Sequence, residues 1–333
     1  MSLLRKVSHN SKFQIFMGFI IASFIITLIY IGLCLYTVHQ LKNRISSEII
    51  AKKIECTDLN VQFSYFTIIL NCSQLAFKNN KTKTTLAVGG LKIIGSIFNP
   101  QKISWNLQSP AKIYKNPQFI LSGQWESFSS KIENALTKDK NSLTVIEQLK
   151  IDISSLPSIN LGTLTIKEAK IGVKNNNQYL AINSSFDNTN FISGYTPFSL
   201  SPFSIKSDVL LFQNPNKNLE EDILSLCFIK GEVKNLTIDF GDNRRISFSG
   251  PFSCNFNGLI SANIHIEIEN FHKVEQLISE SFPIYDQTYF YLGKILEKLS
   301  RRSKNDTISL KLNIYDGFIK VGFIPLGTIP PLK

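Results

Sequence analysis

Histidine is scarce in this chain, with four in 333 residues. His9 and His39 flank a long apolar stretch, which leaves His265 and His272 for any acid–base or metal chemistry elsewhere. No C-x-x-C pair occurs, so zinc-ribbon and thioredoxin-like chemistry have no motif to rest on. No G-x-S-x-G elbow occurs either. Gly90 and Gly95, followed by Ser96, have the spacing of a phosphate loop but lack its lysine, and the spacing reads as a β-turn with a bulge. Arginine is confined to Arg5, Arg44, Arg244, Arg245, Arg301 and Arg302; the rest of the basic charge is lysine, dispersed along the chain. Dispersed lysine is a solvated surface with some attraction for anionic headgroups, not the clustered guanidinium of a nucleic-acid site. The expectation is a non-enzymatic protein without cofactor, metal ligands or nucleic-acid partner. His265, Glu267 and Glu269 alternate with isoleucines along one strand, and their shared face reads as the solvent side of that strand.

What the chain does have is a leading apolar run. Phe13 to Tyr36 carries no charge, and Phe13 to Val38 is long enough to span a bilayer core of about 30 Å. No small-x-small cleavage site follows it, and Leu33 before Cys34 does not fit a lipoprotein leader. The reading is an uncleaved transmembrane helix at 13–38, a cytoplasmic flank at 1–12, a helical juxtamembrane stalk at 39–55 and a β-rich periplasmic domain at 56–333. Basic residues are nearly balanced across the span: Arg5, Lys6 and Lys12 precede it, while Lys42, Arg44, Lys52 and Lys53 follow. Charge alone does not set its orientation; the bulk of the chain on the C-terminal side does.

Hydrophobic content of 43% and a mean hydropathy of +0.03 are those of a folded chain. The formal charge is +11. Cys56, Cys72, Cys227 and Cys254 lie beyond the span, and an extracytoplasmic address permits two disulfides. Cys56 with Cys72 brackets a stretch able to fold back as a hairpin near Ser64; four buried thiols are the alternative.

Alternation of apolar and polar residues dominates from Leu59 onward, in runs separated by asparagine-rich turns. Ile238 to Phe248 around Gly241-Asp242-Asn243, and Leu310 to Val321 around Asp316-Gly317, read as tight hairpins. Helical spacing appears at Phe271 to Ser281 and at Gln287 to Leu299, either side of Pro283, and more weakly at Trp125 to Leu136 through Phe128, Ile132 and Leu136. The expected fold class is α+β, predominantly antiparallel β, with an N-terminal transmembrane helix, an elongated β-rich ectodomain and two helices near the C-terminus. A sub-boundary is placed near residues 195–218, where Pro197, Pro202 and Pro215 cluster.

The closing run YDGFIKVGFIPLGTIPPLK resembles the terminal signature of an uncharacterised family of single-pass alphaproteobacterial proteins with a periplasmic domain of unknown function. The likeness rests on Asp316, Gly317, Gly322, Pro325, Gly327, Pro330 and Pro331, and on Phe66 to Cys72, a strand ending in cysteine. It implies an inner-membrane anchor with the C-terminal domain in the periplasm, and no known activity. The grammar of GLISANIHIEIENFHKVEQLI also looks like that of AsmA-type envelope proteins, associated with lipid handling. Three roles are weighed: an envelope scaffold, assembly or binding module; a lipid-binding β-groove; and a periplasmic hydrolase. The expected partners are the membrane and a lipid or envelope protein.

Overall fold

A computed structural model describes residues 54–331, apart from 65, 80–82, 116–117, 138, 157–158, 177, 195–198, 213–229, 282–300 and 303–305. The described strands are β1 (Ile54–Thr57), β2 (Asn60–Ser64), β3 (Thr67–Cys72), β4 (Gln74–Asn79), β5 (Thr84–Ser96), β6 (Ile103–Lys115), β7 (Gln118–Gln124), β8 (Ser127–Glu133), β9 (Asn141–Leu156) and β10 (Ile159–Asn175). They continue as β11 (Tyr179–Ser193), β12 (Ser199–Phe212), β13 (Lys230–Asp239), β14 (Arg245–Cys254), β15 (Ile260–Glu269), β16 (Arg301–Arg302), β17 (Ile308–Tyr315), β18 (Phe318–Val321) and β19 (Ile324–Thr328). A helix, α1 (Phe271–Ser281), lies between β15 and β16.

All nineteen strands belong to one sheet, and every pairing is antiparallel. From β9 to β15 each strand pairs with its neighbour in sequence. The N-terminal part is branched: β3 and β4 lie end to end along β5, while β7 and β8 lie end to end between β6 and β9. At the other end β15 pairs with β17, which continues through β18 to β19.

This architecture corrects the expected α+β class. The described chain is antiparallel β with one short helix, and among the described residues no helix is long and apolar enough to cross a membrane. The expected spanning helix at 13–38, most of the stalk and the second C-terminal helix at Gln287 to Leu299 lie outside the described residues. The weak helix at Trp125 to Leu136 is instead β8. Phe128 and Ile132 are four apart, which suits a helical face or two strand repeats; Ser130 between them faces the same way, is 1% exposed, and its hydroxyl accepts from Thr144 at 3.0 Å. Gly90 and Gly95 lie within β5 rather than in a turn, with a register shift between Val88 and Gly90. A side chain on Gly90 would meet Cys72 O at 2.9 Å, the close approach its absence permits. Both expected hairpins are present, with positive φ at Gly241, Asp242 and Asn243 in one and at Asp316 and Gly317 in the other. β12 lies within the stretch of the expected sub-boundary at 195–218 and pairs with both β11 and β13, with register shifts at Phe186–Phe191 and Asp208–Val209; residues 195–198 and 213–218 of that stretch lie outside the described residues.

Three buried clusters lie on the sheet. One gathers Cys72, Leu75 and Val88; a second gathers Ile146, Ile166 and Ala169; Trp125 packs against both. The third sits at the C-terminal end, where α1 packs Phe271 and Val274 against Ile268, Ile308, Leu310 and Val321; Leu277 of the same helix is buried as well. Asp306 caps this helix: its carbonyl accepts from Phe271 N at 3.0 Å and its carboxylate from His272 N at 3.3 Å.

Candidate functional site

Cross-strand register sorts the side chains onto two faces. Cys72, Leu91 and Leu107 stand opposite one another on β3, β5 and β6. The row resumes as Phe128, Ile146, Ala169, Phe186, Ile205, Ile238, Ile246, Ile268 and Ile308, each paired with the next on the neighbouring strand. At about 4.8 Å per strand this apolar row is roughly 50 Å long. Parallel rows reinforce it, among them Val173, Ile182, Val209 and Val233. One residue over, the opposite face carries Lys170, Ser185, Lys206, Thr237, Ser247 and Glu267.

The apolar face survives a phase slip. Gln148 and Asn188 adopt φ of 52° and 51°, and around them the apolar side chains step by three residues: Ile146 to Leu149, Ile166 to Ala169, Phe186 to Thr189. A two-residue repeat would have turned the second half of each strand over; the left-handed residues restore it, so that Leu164, Ile166 and Ala169 share one cluster.

Cover on this face is uneven. The branched part of the sheet and Trp125 bury one end, and α1 buries the other. Between them, Ile182, Ile205, Val209, Leu211, Val233, Leu236 and Ile238 are only half-buried and belong to none of the buried clusters. A hydroxyl pair, Ser184 with Ser207 at 2.7 Å, is the polar inclusion here, each group satisfying the other. An aliphatic strip with satisfied polar groups and no charge accommodates hydrocarbon.

The polar face holds a trough of about 780 Å³ over β11 to β15. Three of its charged groups form one ion-paired set. Arg245 donates to Asp239 at 3.1 Å and lies 3.5 Å from Glu269. The Gly241 N–H, then Arg245, hold the Asp239 carboxyl below the usual carboxylate range, and its hydrogen bond with Asp239, then the charge of Glu269, raise the Arg245 guanidinium further. His265 meets Ser309 Oγ at 3.4 Å. His265, Glu267 and Glu269 do share the expected solvent face, and among the described residues no set of three His, Cys, Asp or Glu side chains is placed to hold a metal. Interspersed charges of both signs over an open trough give no directional demand for a ligand, so the apolar strip is the stronger candidate although the polar trough is roomier.

The expected site residues fall in separate places. Cys56 and Cys72 form a disulfide between β1 and β3, beside the first buried cluster. Cys254 is buried at the end of β14, its thiol 3.7 Å from Asn255 O; Cys227 lies outside the described residues. Asp316 and Gly317 make the β17–β18 turn, Gly322 starts the β18–β19 turn at φ 59°, Pro325 and Gly327 lie in β19, and Pro330 and Pro331 follow it, exposed. They shape the terminal edge of the sheet and none touches the half-buried strip. Sequence reasoning found an apolar face but not how it is covered, because cover comes from the N-terminal branch and from α1, which follows β15 in the chain yet packs on both β12 and β15.

No curated protein and no solved structure matches this chain. The family model described as an uncharacterized protein conserved in bacteria, DUF2125, matches residues 51–330, most of the chain and all but the last of its described residues, and the chain therefore belongs to that bacterial family.

Proposed function

We propose that this protein is a non-catalytic binding module that holds the acyl chains of a lipid against the half-buried strip of β11 to β13. The observation that carries this reading is the row Ile182, Val209 and Val233 beside Ile205 and Ile238, continuous with buried apolar rows on both sides yet itself only half-buried, with α1 the one described helix that reaches it, at β12. Water against such a strip is costly; each methylene of a bound chain withdrawn from water contributes about 0.8 kcal/mol. The strip has no charge to orient a polar substrate, which favours hydrocarbon over a sugar or nucleotide. Its place in the cell follows the same reading: the uncharged stretch of residues 13–38 keeps the protein at the bacterial inner membrane, with the sheet on the periplasmic side. The Cys56–Cys72 disulfide supports that address, since such bonds persist in oxidising compartments.

The test is purification of the full chain from membranes in mild detergent, with mass spectrometry of the bound lipid. Val209→Glu and Ile238→Glu place a carboxylate in the strip and are expected to strip the lipid, whereas Lys206→Glu on the opposite face leaves it. Equal lipid in all three variants overturns the reading.

A further inference from the structure

Most of the exposed large apolar side chains stand at one end of the strands, although Phe323, Ile192 and Leu161 stand away from it. Register places the β5–β6, β8–β9, β14–β15 and β17–β18 turns and the end of β12 at the same end of the sheet. There Phe98 is 75% exposed, Leu136 70%, Phe212 50%, Phe256 66%, Tyr315 74% and Phe318 58%. Isolated exposed hydrophobics need no explanation, but a succession of turn tips carrying them does.

Two of these turns form one rigid tip. Asn255 Nδ2 donates to Asp316 Oδ1 at 3.2 Å, Asp316 N donates to Ser261 Oγ at 3.0 Å, and Gly317 N donates to Ile260 O at 2.8 Å. Within the first turn, Asn255 Oδ1 accepts from Asn257 N and Leu259 N. Phe256, Tyr315 and Phe318 are thus held out into water on a cross-braced support, with their exposure built in rather than incidental. Asp316, the one carboxylate in these turns, is occupied by these hydrogen bonds, while Lys230, Lys311 and Lys320 on the adjoining strands are exposed. One residue inside the tip, Ile314 pairs with both Ala262 and Ile319, so the apolar face runs up to it.

We propose that the Asn255–Leu259 and Asp316–Gly317 turns are a membrane-contact tip: Phe256, Tyr315 and Phe318 enter the headgroup region of a lipid bilayer, and the neighbouring lysines favour an anionic one. The proposal rests on the acyl-chain reading above and names the source from which chains reach the strip. A protein partner suits the tip less well. Hot spots are contiguous and desolvated at their centre, whereas Phe256 stands on one turn and the paired Tyr315 and Phe318 flank the other, with Asn255, Asn257 and Asp316 between them. A bilayer interface accepts separate aromatic insertions, each ring dipping into the acyl boundary while amides and hydroxyls stay among headgroups. Lys230 and Lys320, each about two strand residues from the tip, add attraction for anionic lipid.

The experiment uses the full-length chain in phosphatidylcholine nanodiscs, so that residues 13–38 are already occupied, mixed with separate vesicles of phosphatidylcholine with or without phosphatidylglycerol. The parent is expected to float with the anionic vesicles, and the triple variant Phe256→Ser, Tyr315→Ser, Phe318→Ser to lose roughly ten-fold or more of that binding. Tyr315→Trp keeps an aromatic at the tip and supplies a second readout: its emission is expected to be quenched by brominated lipid in the vesicles, over the background of Trp105 and Trp125. Unchanged flotation of the triple variant, or an unquenched Trp at 315, overturns the proposal. If the triple variant floats normally but loses a co-purifying protein, the tip belongs to a protein contact and the proposal also fails. The two readings separate cleanly: a triple variant that loses flotation but keeps its detergent-purified lipid leaves both standing, and flotation unaffected by the tip with lipid loss in Val209→Glu removes only the membrane contact.

Discussion

The indole of Trp125 donates to the carbonyl of Leu107 at 3.0 Å, across the break where β7 stops and β8 begins. β6 pairs with β8 through Asn106 and with β7 from Ala111 onward, leaving Leu107 to Pro110 opposite neither strand. Trp125 fills that break: its backbone N–H reaches Ser109 Oγ at 3.3 Å, and its ring packs against two buried clusters and the Phe128 ring at 5.5 Å. Trp125→Phe keeps most of the packing but orphans the Leu107 carbonyl, an expected loss of about 1 kcal/mol. Trp125→Ala uncouples the two clusters and costs about 3 kcal/mol. Denaturant unfolding of both variants checks the order; equal losses would show that the hydrogen bond, not the ring, joins the branch.

Gly250 is the least replaceable glycine described. Its φ is 141°, and a Cβ there would sit 2.0 Å from Asn263 O on the adjacent strand. Gly250→Ala is expected to destabilise the sheet by more than about 2 kcal/mol, from the backbone conformation and the collision together. Gly241→Ala has positive φ but open space around it, and is expected to cost about 1 kcal/mol. Thermal melts of the pair separate strain from collision.

The Cys56–Cys72 bond closes a loop of sequence separation 16 and fastens β1, held by β4, to β3. In the loop-entropy account its loss costs about 3 kcal/mol. Cys72→Ser is expected to lose the nonreducing gel shift and to melt at lower temperature in the absence of reductant, with the gap to the parent closing when reductant is added.

Asp239 gives the polar face a defined response to acid. Its carboxyl is held low by the Gly241 N–H and by Arg245, so its folded-state pKa lies beneath the unfolded value of about 3.9. The stabilisation is present above the unfolded value and disappears as pH falls through the folded one. Both partners are about 40% exposed, so solvent screening keeps the effect below about 1 kcal/mol. Asp239→Asn is expected to melt lower than the parent at neutral pH and to converge with it as the solution is acidified below about pH 4. A difference that widens in acid contradicts the assignment.

Much of the local structure was legible in the sequence, for reasons that particular residues make plain. The Asp316-Gly317 pair demands positive φ, and Phe271, Val274 and Leu277 fit only a helical repeat, so that hairpin and α1 emerge where expected. The longest strands are harder to read from their alternation. In β10, Leu164 and Ile166 fall out of phase with Ala169 and Ile171, which looks like two strands and is one strand slipped at Lys167. Phe128 and Ile132 misled in the other direction, since a spacing of four fits both repeats. The strip itself was not legible, because half-burial is decided by what lies over a side chain, and α1, which follows β15 in sequence, folds back as far as β12.

A meander whose neighbours in sequence are neighbours in space has no strand that must return to close it. Its extent is therefore set by a count and not by a perimeter: duplicating one two-strand unit such as β11–β12 would lengthen the oily track by about 10 Å and leave every other pairing as it was. Lineages could tune the reach of such a protein by gaining or losing hairpins, in the way a folding ruler gains or loses segments.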